Sequence, residues 1–120
     1  MDLAKYFKAV VDADTQQVVI CGTDHQILYM NEEAKARYRR DLTGKNLLDC
    51  HNDKTKGILK DVLAWFQAAQ EHNRVHAYFD PRDNADVYIV ALRDDAGTVI
   101  GYYEKPEIRT LDESAFYEMN

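Results

Sequence analysis

The sequence predicts a single α+β domain built on a five-stranded antiparallel sheet. Its 120 residues, 46% hydrophobic and 30% charged, suit one compact domain with its own core. Two strand-like runs come first, several helical segments follow, and three more strand-like runs come last. Because short turn-forming segments join neighbouring strands, those strands pair antiparallel, and the inserted helices cover one face of the sheet.

The first element is an amphipathic helix over residues 2–12, which we assign to an N-terminal segment, 1–13, outside the main domain. Its apolar residues recur at intervals of three and four, the spacing of one helix face. They are Leu3, Tyr6, Phe7, Val10 and Val11.

A hairpin follows the first helix. Residues 18–21 are β-branched and apolar enough for a buried strand, residues 22–25 have turn chemistry, and residues 26–30 form the second strand. A loop this short joins antiparallel neighbours.

Helices then occupy the middle of the chain. Asn31 is a favourable N-cap for a short helix over 32–38, and residues 46–50 predict another helical turn. The main helix is expected over 53–72, with Asn73 ending it in the left-handed conformation. Its helically spaced apolar residues are Ile58, Leu59, Val62, Leu63, Phe66 and Ala69.

Three strands close the domain, at residues 75–79, 86–92 and 99–103. Residues 106–120 are assigned to a C-terminal tail with few apolar anchors, in which a short helix from Asp112 to residue 117 is one alternative.

Charge and composition exclude several classes of partner. The formal net charge of −6 repels nucleic-acid phosphates and anionic lipid. No apolar run approaches the roughly 20 residues that span a bilayer, and the first residues lack a secretory pattern. Two cysteines without CxxC spacing suit a reducing compartment, so we expect a cytoplasmic protein.

Three segments resemble PAS domains. Residues 19–34, VICGTDHQILYMNEEA, resemble their opening hairpin, in which an aspartate turn leads to a strand ending in Tyr-x-Asn. Residues 42–48, LTGKNLL, look like the Gly-Lys-x-Leu step that follows, and residues 97–102, GTVIGY, are similar to the last hairpin and strand. The resemblance spans residues 14–105 and implies strand order 2-1-5-4-3, with the helices inserted between strands 2 and 3. It also implies a sensory or interaction module, often with a small-molecule pocket.

Cys50 and His51 are the most reactive-looking pair, near where a PAS-like pocket would open. Either side chain can ligate haem iron or another metal, but adjacent residues seldom converge on one ion. Zinc would need further ligands from the other histidines, which lie on a turn, a helix end and a strand: His25, His72 and His76. We therefore expect structural roles, with Cys50 a small buried hydrophobe and His51 a loop residue, and keep haem as the minority hypothesis. We predict no metal site, and the sequence around Cys50 does not match that of a flavin photosensor.

Aromatic side chains are candidates for the lining of a pocket. They are Tyr29, Phe66, Tyr78, Tyr88 and Tyr102. Strand alternation leaves a second interpretation open, because Tyr78 and Tyr88 are out of phase with their apolar neighbours and would then face solvent or a dimer partner.

The sequence thus predicts a stand-alone sensory module that binds a small molecule in its core and signals to a separate partner. A ligand-free dimerisation or protein-interaction domain is the alternative. We expect no enzyme, because nucleophile, phosphate-loop and metalloprotease motifs are absent and the single serine, Ser114, lies in the tail. We also expect a homodimer through the N-terminal helix, whose apolar stripe needs a covering surface, with packing of the stripe onto the helix's own sheet as the alternative.

Overall fold

A computed structural model describes residues 1–119 of the chain. Its elements are α1 (Leu3–Ala13), β1 (Val19–Gly22), β2 (Ile27–Met30), α2 (Glu32–Tyr38), a 3-10 helix (Leu47–Cys50), α3 (Asp53–Ala68), β3 (Arg74–Asp80), β4 (Ala85–Arg93) and β5 (Val99–Ile108). The strands form one antiparallel sheet in the order β2-β1-β5-β4-β3, which confirms the predicted fold class and strand order.

The helices between β2 and β3 cover one face of the sheet. Apolar side chains of β1, β2, β4 and β5 pack there against Ala34 of α2 and against α3. The buried residues of α3 are Leu59, Leu63 and Phe66, spaced by four and three as an inward helix face requires.

Gly101 allows the close approach of β1 and β5. A Cβ atom there would lie 2.1 Å from the carbonyl oxygen of Cys21, the residue before its partner Gly22 on β1. Only glycine fits this position without displacing the backbone, so the pairing of the first and last strands depends on it.

Asn31 joins four segments. Its Oδ1 accepts hydrogen bonds from the backbone N–H of Val18 at 2.9 Å and of Ala34 at 3.0 Å, the second of which caps α2. Its Nδ2 donates to the carbonyls of Val11 at 3.0 Å and Gln16 at 2.9 Å. Asn31 is fully buried, and these four bonds tie the end of α1 and the start of β1 to the start of α2.

The long helix is shorter than predicted. It ends at Ala68 rather than at residue 72, and Ala69 is extended instead of Asn73 being left-handed. The reason is Arg93 of β4, whose Nη2 lies 2.8, 2.9 and 3.1 Å from the carbonyl oxygens of Phe66, Ala69 and His72. The guanidinium satisfies carbonyls that a further helical turn would otherwise have to pair.

β5 is longer than predicted, because it continues through Pro106 to Ile108 opposite Ala85 of β4. The alternative of a helix starting at Asp112 is wrong. The Asp112 carboxylate accepts from the backbone N–H of Ser114, two residues on, which forms a local turn instead of capping a helix.

No helix within residues 1–119 combines the length and the hydropathy needed to cross a bilayer.

Replacing Phe66 by Ala should lower the free energy of unfolding by about 3 to 5 kcal/mol, because its ring is fully buried between α3 and the sheet. Trp65→Ala is the matched control, since Trp65 is 43% exposed and stacks on His72, and it should cost only about 1 kcal/mol. Urea denaturation measures both values. Equal losses for the two variants would show that the buried face of α3 is misassigned.

Candidate functional site

A cavity of about 330 Å³ lies between the first half of α3 and strands β3, β4 and β5. This volume is at the low end of the range for small-molecule sites. Its lining is mostly apolar and is formed by His51, Lys54, Thr55, Ile58, Leu59, Ala77, Tyr78, Ile89 and Glu104. Lys54 and Ile58 are exposed, so the cavity opens beside the first turns of α3.

Glu104 places a carboxyl group in this cavity. It is only 7% exposed, and its neighbours across β5 on either side are the buried apolar residues Val19 and Ile89. The Tyr78 hydroxyl donates a long hydrogen bond of 3.4 Å to Oε1 of Glu104. Within residues 1–119, no Lys, Arg or His nitrogen lies within 4.0 Å of the carboxyl. Burial therefore raises the pKa of Glu104 above its ordinary value.

A β-bulge brings Tyr78 into the cavity. His76 pairs with Tyr88, but the next pair is Tyr78 with Val87, so Ala77 is an extra residue on β3. The bulge reverses the side-chain phase of the strand, and both Ala77 and Tyr78 line the cavity. Tyr78 therefore borders the cavity while 51% of the residue stays exposed, whereas Tyr88 lies on the outer face of the sheet.

Tyr88 and Tyr29 lie outside the cavity, which corrects their placement in its lining. The Arg74 guanidinium stacks 3.6 Å from the centroid of the Tyr88 ring on the outer face of the sheet. The Tyr29 hydroxyl donates to the Asp12 carboxylate of α1. Strand alternation explains both positions, because each residue pairs with a neighbour whose side chain also points away from α3.

Phe66 and Tyr102 are core residues rather than lining residues. Both are buried, and the Tyr102 hydroxyl is hydrogen-bonded to Nδ1 of His25 at 2.7 Å. Both side chains fill the core between α3 and the centre of the sheet.

The side chains of Cys50 and His51 lie in different environments. His51 lines the cavity and is half-buried, and burial lowers its pKa, so its imidazole is neutral at neutral pH. Cys50 is exposed, contrary to the expectation of a small buried hydrophobe, because it ends the 3-10 helix with its Sγ 4.0 Å from the Asn46 carbonyl.

The other histidines have separate partners. His25 is bonded to Tyr102, His72 stacks on Trp65 with ring centroids 3.9 Å apart, and Nε2 of His76 lies 2.8 Å from the Asp86 carboxylate. In the part of the chain that the structure describes, no three His, Cys, Asp or Glu side chains converge as metal ligands.

The haem hypothesis does not fit the cavity. At about 30 Å³ for each water molecule, 330 Å³ holds roughly a dozen non-hydrogen atoms. A porphyrin with its four pyrrole rings and two propionates has several times as many. His51 alone therefore makes a weak case for haem.

Glu104 is not among the site residues predicted from the sequence, because the last strand was expected to end at residue 103. The available signal was its position two residues after Tyr102, which places both side chains on the same inward face of β5. A carboxylate on the buried face of a central strand is a candidate functional group.

A larger depression of about 450 Å³ lies beside α2, but its lining is polar. Its cation, Arg37, is already paired with Asp80 at 2.6 Å and Asp83 at 3.2 Å. This depression therefore offers less to a ligand than the cavity at Glu104.

Glu104→Gln should stabilise the protein at pH 8 by about 1 to 3 kcal/mol, the usual cost of a buried polar group without full pairing. The raised pKa means that the contribution of Glu104 to stability is present below its ordinary pKa and is lost as the pH rises through the folded-state pKa. The advantage of Gln should therefore vanish near pH 4. Thermal unfolding from pH 4 to pH 8 measures it.

Glu107→Gln is the matched control, since Glu107 is exposed on the same strand and faces Arg74 at 3.5 Å. It should show no such gain. A Glu104→Gln variant no more stable than the unchanged protein at pH 8 would show that the carboxyl is compensated.

Comparisons with known proteins agree with this architecture. No protein-family model and no curated protein matches the sequence. Among solved structures, a C-terminal domain from Streptococcus mutans matches with a TM-score of 0.68 and 22% identity, covering 88% of this chain and 84% of that one. The PAS domain of BvgS from Bordetella pertussis matches with a TM-score of 0.65 and 12% identity, covering 92% of this chain and 89% of that one. A sensory box sensor histidine kinase from Vibrio cholerae matches with a TM-score of 0.60 and 15% identity, covering 91% of this chain and 93% of that one. The chain therefore has the fold of PAS domains.

Proposed function

We propose that this protein is a sensory module that binds a small molecule in the cavity between α3 and the sheet and signals its presence to a separate protein partner. The observation that carries the proposal is a buried carboxyl and a tyrosine hydroxyl set in a cavity whose lining is mostly apolar. Apolar walls with a few convergent polar groups are what small-molecule sites have in common. The sensory domains with a similar fold support the same role.

The cavity is placed so that an occupant would touch a surface helix. Thr55 and Ile58 line it from the first two turns of α3, and the last turn of that helix is held by Arg93. A ligand would therefore contact the N-terminal end of α3, opposite the end that Arg93 holds. Ile58, which is 42% exposed, both borders the cavity and belongs to the outer surface that a partner could contact.

The protonation of the Cys21 thiol and the Tyr78 hydroxyl favours ligand binding over catalysis. Burial raises the pKa of the Cys21 thiol to about 12, so this thiol stays protonated and is a poor nucleophile. Burial also raises the pKa of the Tyr78 hydroxyl, which acts as a hydrogen-bond donor to Glu104.

We also propose a homodimer formed through α1, a property that a ligand-free interaction domain would share. None of the residues of α1 is buried, and four large apolar side chains on one face are 49% to 71% exposed: Leu3, Tyr6, Phe7 and Val10. The end of α1 is fastened to its own domain by Asn31 and by the 2.9 Å ion pair of Asp14 with Lys105. The helix is thus held in place while its apolar face stays uncovered, and a second copy would cover it symmetrically.

Ligand binding can be tested by native mass spectrometry of the purified protein and by a fragment screen read as a shift in Tm. We expect fragments of roughly a dozen non-hydrogen atoms to raise the Tm and to shift the amide NMR signals of Ala77 and Ile89, since the cavity has this capacity. Ala77→Leu, which adds carbon atoms inside the cavity, should abolish the shift. A screen without any hit that depends on the cavity would overturn the proposal.

Dimerisation can be tested by sedimentation of the full chain at high micromolar concentration. Phe7→Glu should convert the dimer to a monomer, because it places a charge in the contact, whereas Lys5→Glu should leave the dimer intact. Deleting residues 1–12 should have the same effect as Phe7→Glu. A monomeric full-length chain would contradict the proposal.

A further inference from the structure

We propose that the ligand of the cavity is a small organic cation, an amine on a compact apolar body, whose ammonium group pairs with Glu104. This inference rests on the proposed function and specifies its ligand class.

The geometry of Glu104 leaves a binding position open. Its carboxyl has a single hydrogen bond within residues 1–119, the 3.4 Å bond that Oε1 accepts from Tyr78. The strands on either side place Val19 and Ile89 beside it, and neither side chain can donate. Oε2 is therefore available to a donor that enters the cavity.

The charges around the cavity favour a cation at this position. The titratable groups that face Glu104 from other elements are neutral at neutral pH: Tyr78 of β3, Tyr38 of α2, Cys21 of β1 and His51 before α3. Among the residues of the lining that the structure describes, Lys54 of α3 is the one Lys or Arg, and it is exposed at the mouth of the cavity without an ion pair to Glu104. An anionic ligand would be repelled by Glu104 once that carboxyl is ionised, whereas an ammonium group forms a charge-assisted hydrogen bond.

The fold already shields the Glu104 carboxyl from most of the solvent, since only 7% of the residue is exposed. Desolvation is a large cost of forming a buried ion pair, and less of the carboxyl therefore remains to be desolvated when a ligand enters the cavity. Because burial raises the pKa of Glu104, the ammonium group binds in competition with the proton of that carboxyl, most strongly at pH values below the raised pKa. Affinity should thus increase with pH until the amine itself loses its charge near pH 10.

The size of the cavity limits the apolar body. With room for roughly a dozen non-hydrogen atoms, it accommodates one aromatic ring or a short branched chain beyond the amine. Ile58, Leu59 and Ile89 supply the apolar contacts for that body.

The test compares three probes of similar shape: 2-phenylethylamine, 2-phenylethanol and 3-phenylpropionate. Dissociation constants are measured at pH 7.5 by NMR titration of the full chain, and the shifted amides locate the site. We expect the amine to bind about tenfold more tightly than the alcohol, the difference between a charge-assisted and a neutral hydrogen bond. The carboxylate should bind more weakly than the alcohol.

Glu104→Gln keeps the shape of the side chain and removes its charge. This variant should lose the roughly tenfold preference for the amine while its affinity for the alcohol stays nearly unchanged. Glu107→Gln removes an exposed charge from the same strand and should leave both affinities as they are. Retained binding of the alcohol shows that the variant is folded and that its cavity is intact.

The outcomes separate this inference from the proposed function. Equal affinity for amine and alcohol, or preference for 3-phenylpropionate, would overturn the amine inference while confirming that the cavity binds small molecules. Amine preference that survives in Glu104→Gln would overturn the role of Glu104. If all three probes fail, the amine inference falls, and the unbiased fragment screen decides separately whether the cavity binds any ligand.

Discussion

The central position of β5 is the constraint on which the rest of the structure depends. This last strand pairs with β1 on one side and β4 on the other, and its approach to β1 requires glycine at position 101. The inward side chains at Tyr102 and Glu104 are therefore flanked by a strand on both sides. For Tyr102 this means core packing, but for Glu104 it means a carboxyl that is 7% exposed and has no Lys, Arg or His nitrogen within 4.0 Å in residues 1–119. The position of the candidate site follows from the topology.

Some segments of the molecule are joined by several side-chain hydrogen bonds, whereas the start of α3 borders a cavity. Asn31 fixes the ends of α1 and β1 and the start of α2 through four hydrogen bonds, and Arg93 holds the last turn of α3. The first turns of α3 instead border a cavity. The side chains of Asn31 and Arg93 each make several hydrogen bonds, whereas the Glu104 carboxyl has one long hydrogen bond within residues 1–119. The cavity thus holds a carboxyl with one long hydrogen bond beside segments that are well hydrogen-bonded. A ligand that binds in such a cavity can change the stability of α3.

Much of the fold could be predicted from the sequence, because helical spacing and strand alternation are local properties. The strand order came from the resemblance of three segments to PAS domains. Three of the errors, in the end of α3, the side-chain phase of β3 and the length of β5, have long-range causes. Arg93 ends α3 from a strand more than twenty residues away, and the bulge at Ala77 reverses the side-chain phase of β3. His51 was a candidate from the sequence and does line the cavity, but Glu104 was missed because the pairing of β4 with β5 extends the strand beyond its apolar run.

The ionisation of Glu104 tests the proposed binding of an organic cation most directly. The side-chain carboxyl carbon of Glu104 can be followed by NMR in 13C-labelled protein as the pH is raised, first alone and then with 2-phenylethylamine. We expect a midpoint above the ordinary value for glutamate in the free protein, and a lower midpoint when the amine is bound, because the ammonium group favours the carboxylate. An ordinary or lowered midpoint in the free protein, unchanged by the amine, would contradict the proposal.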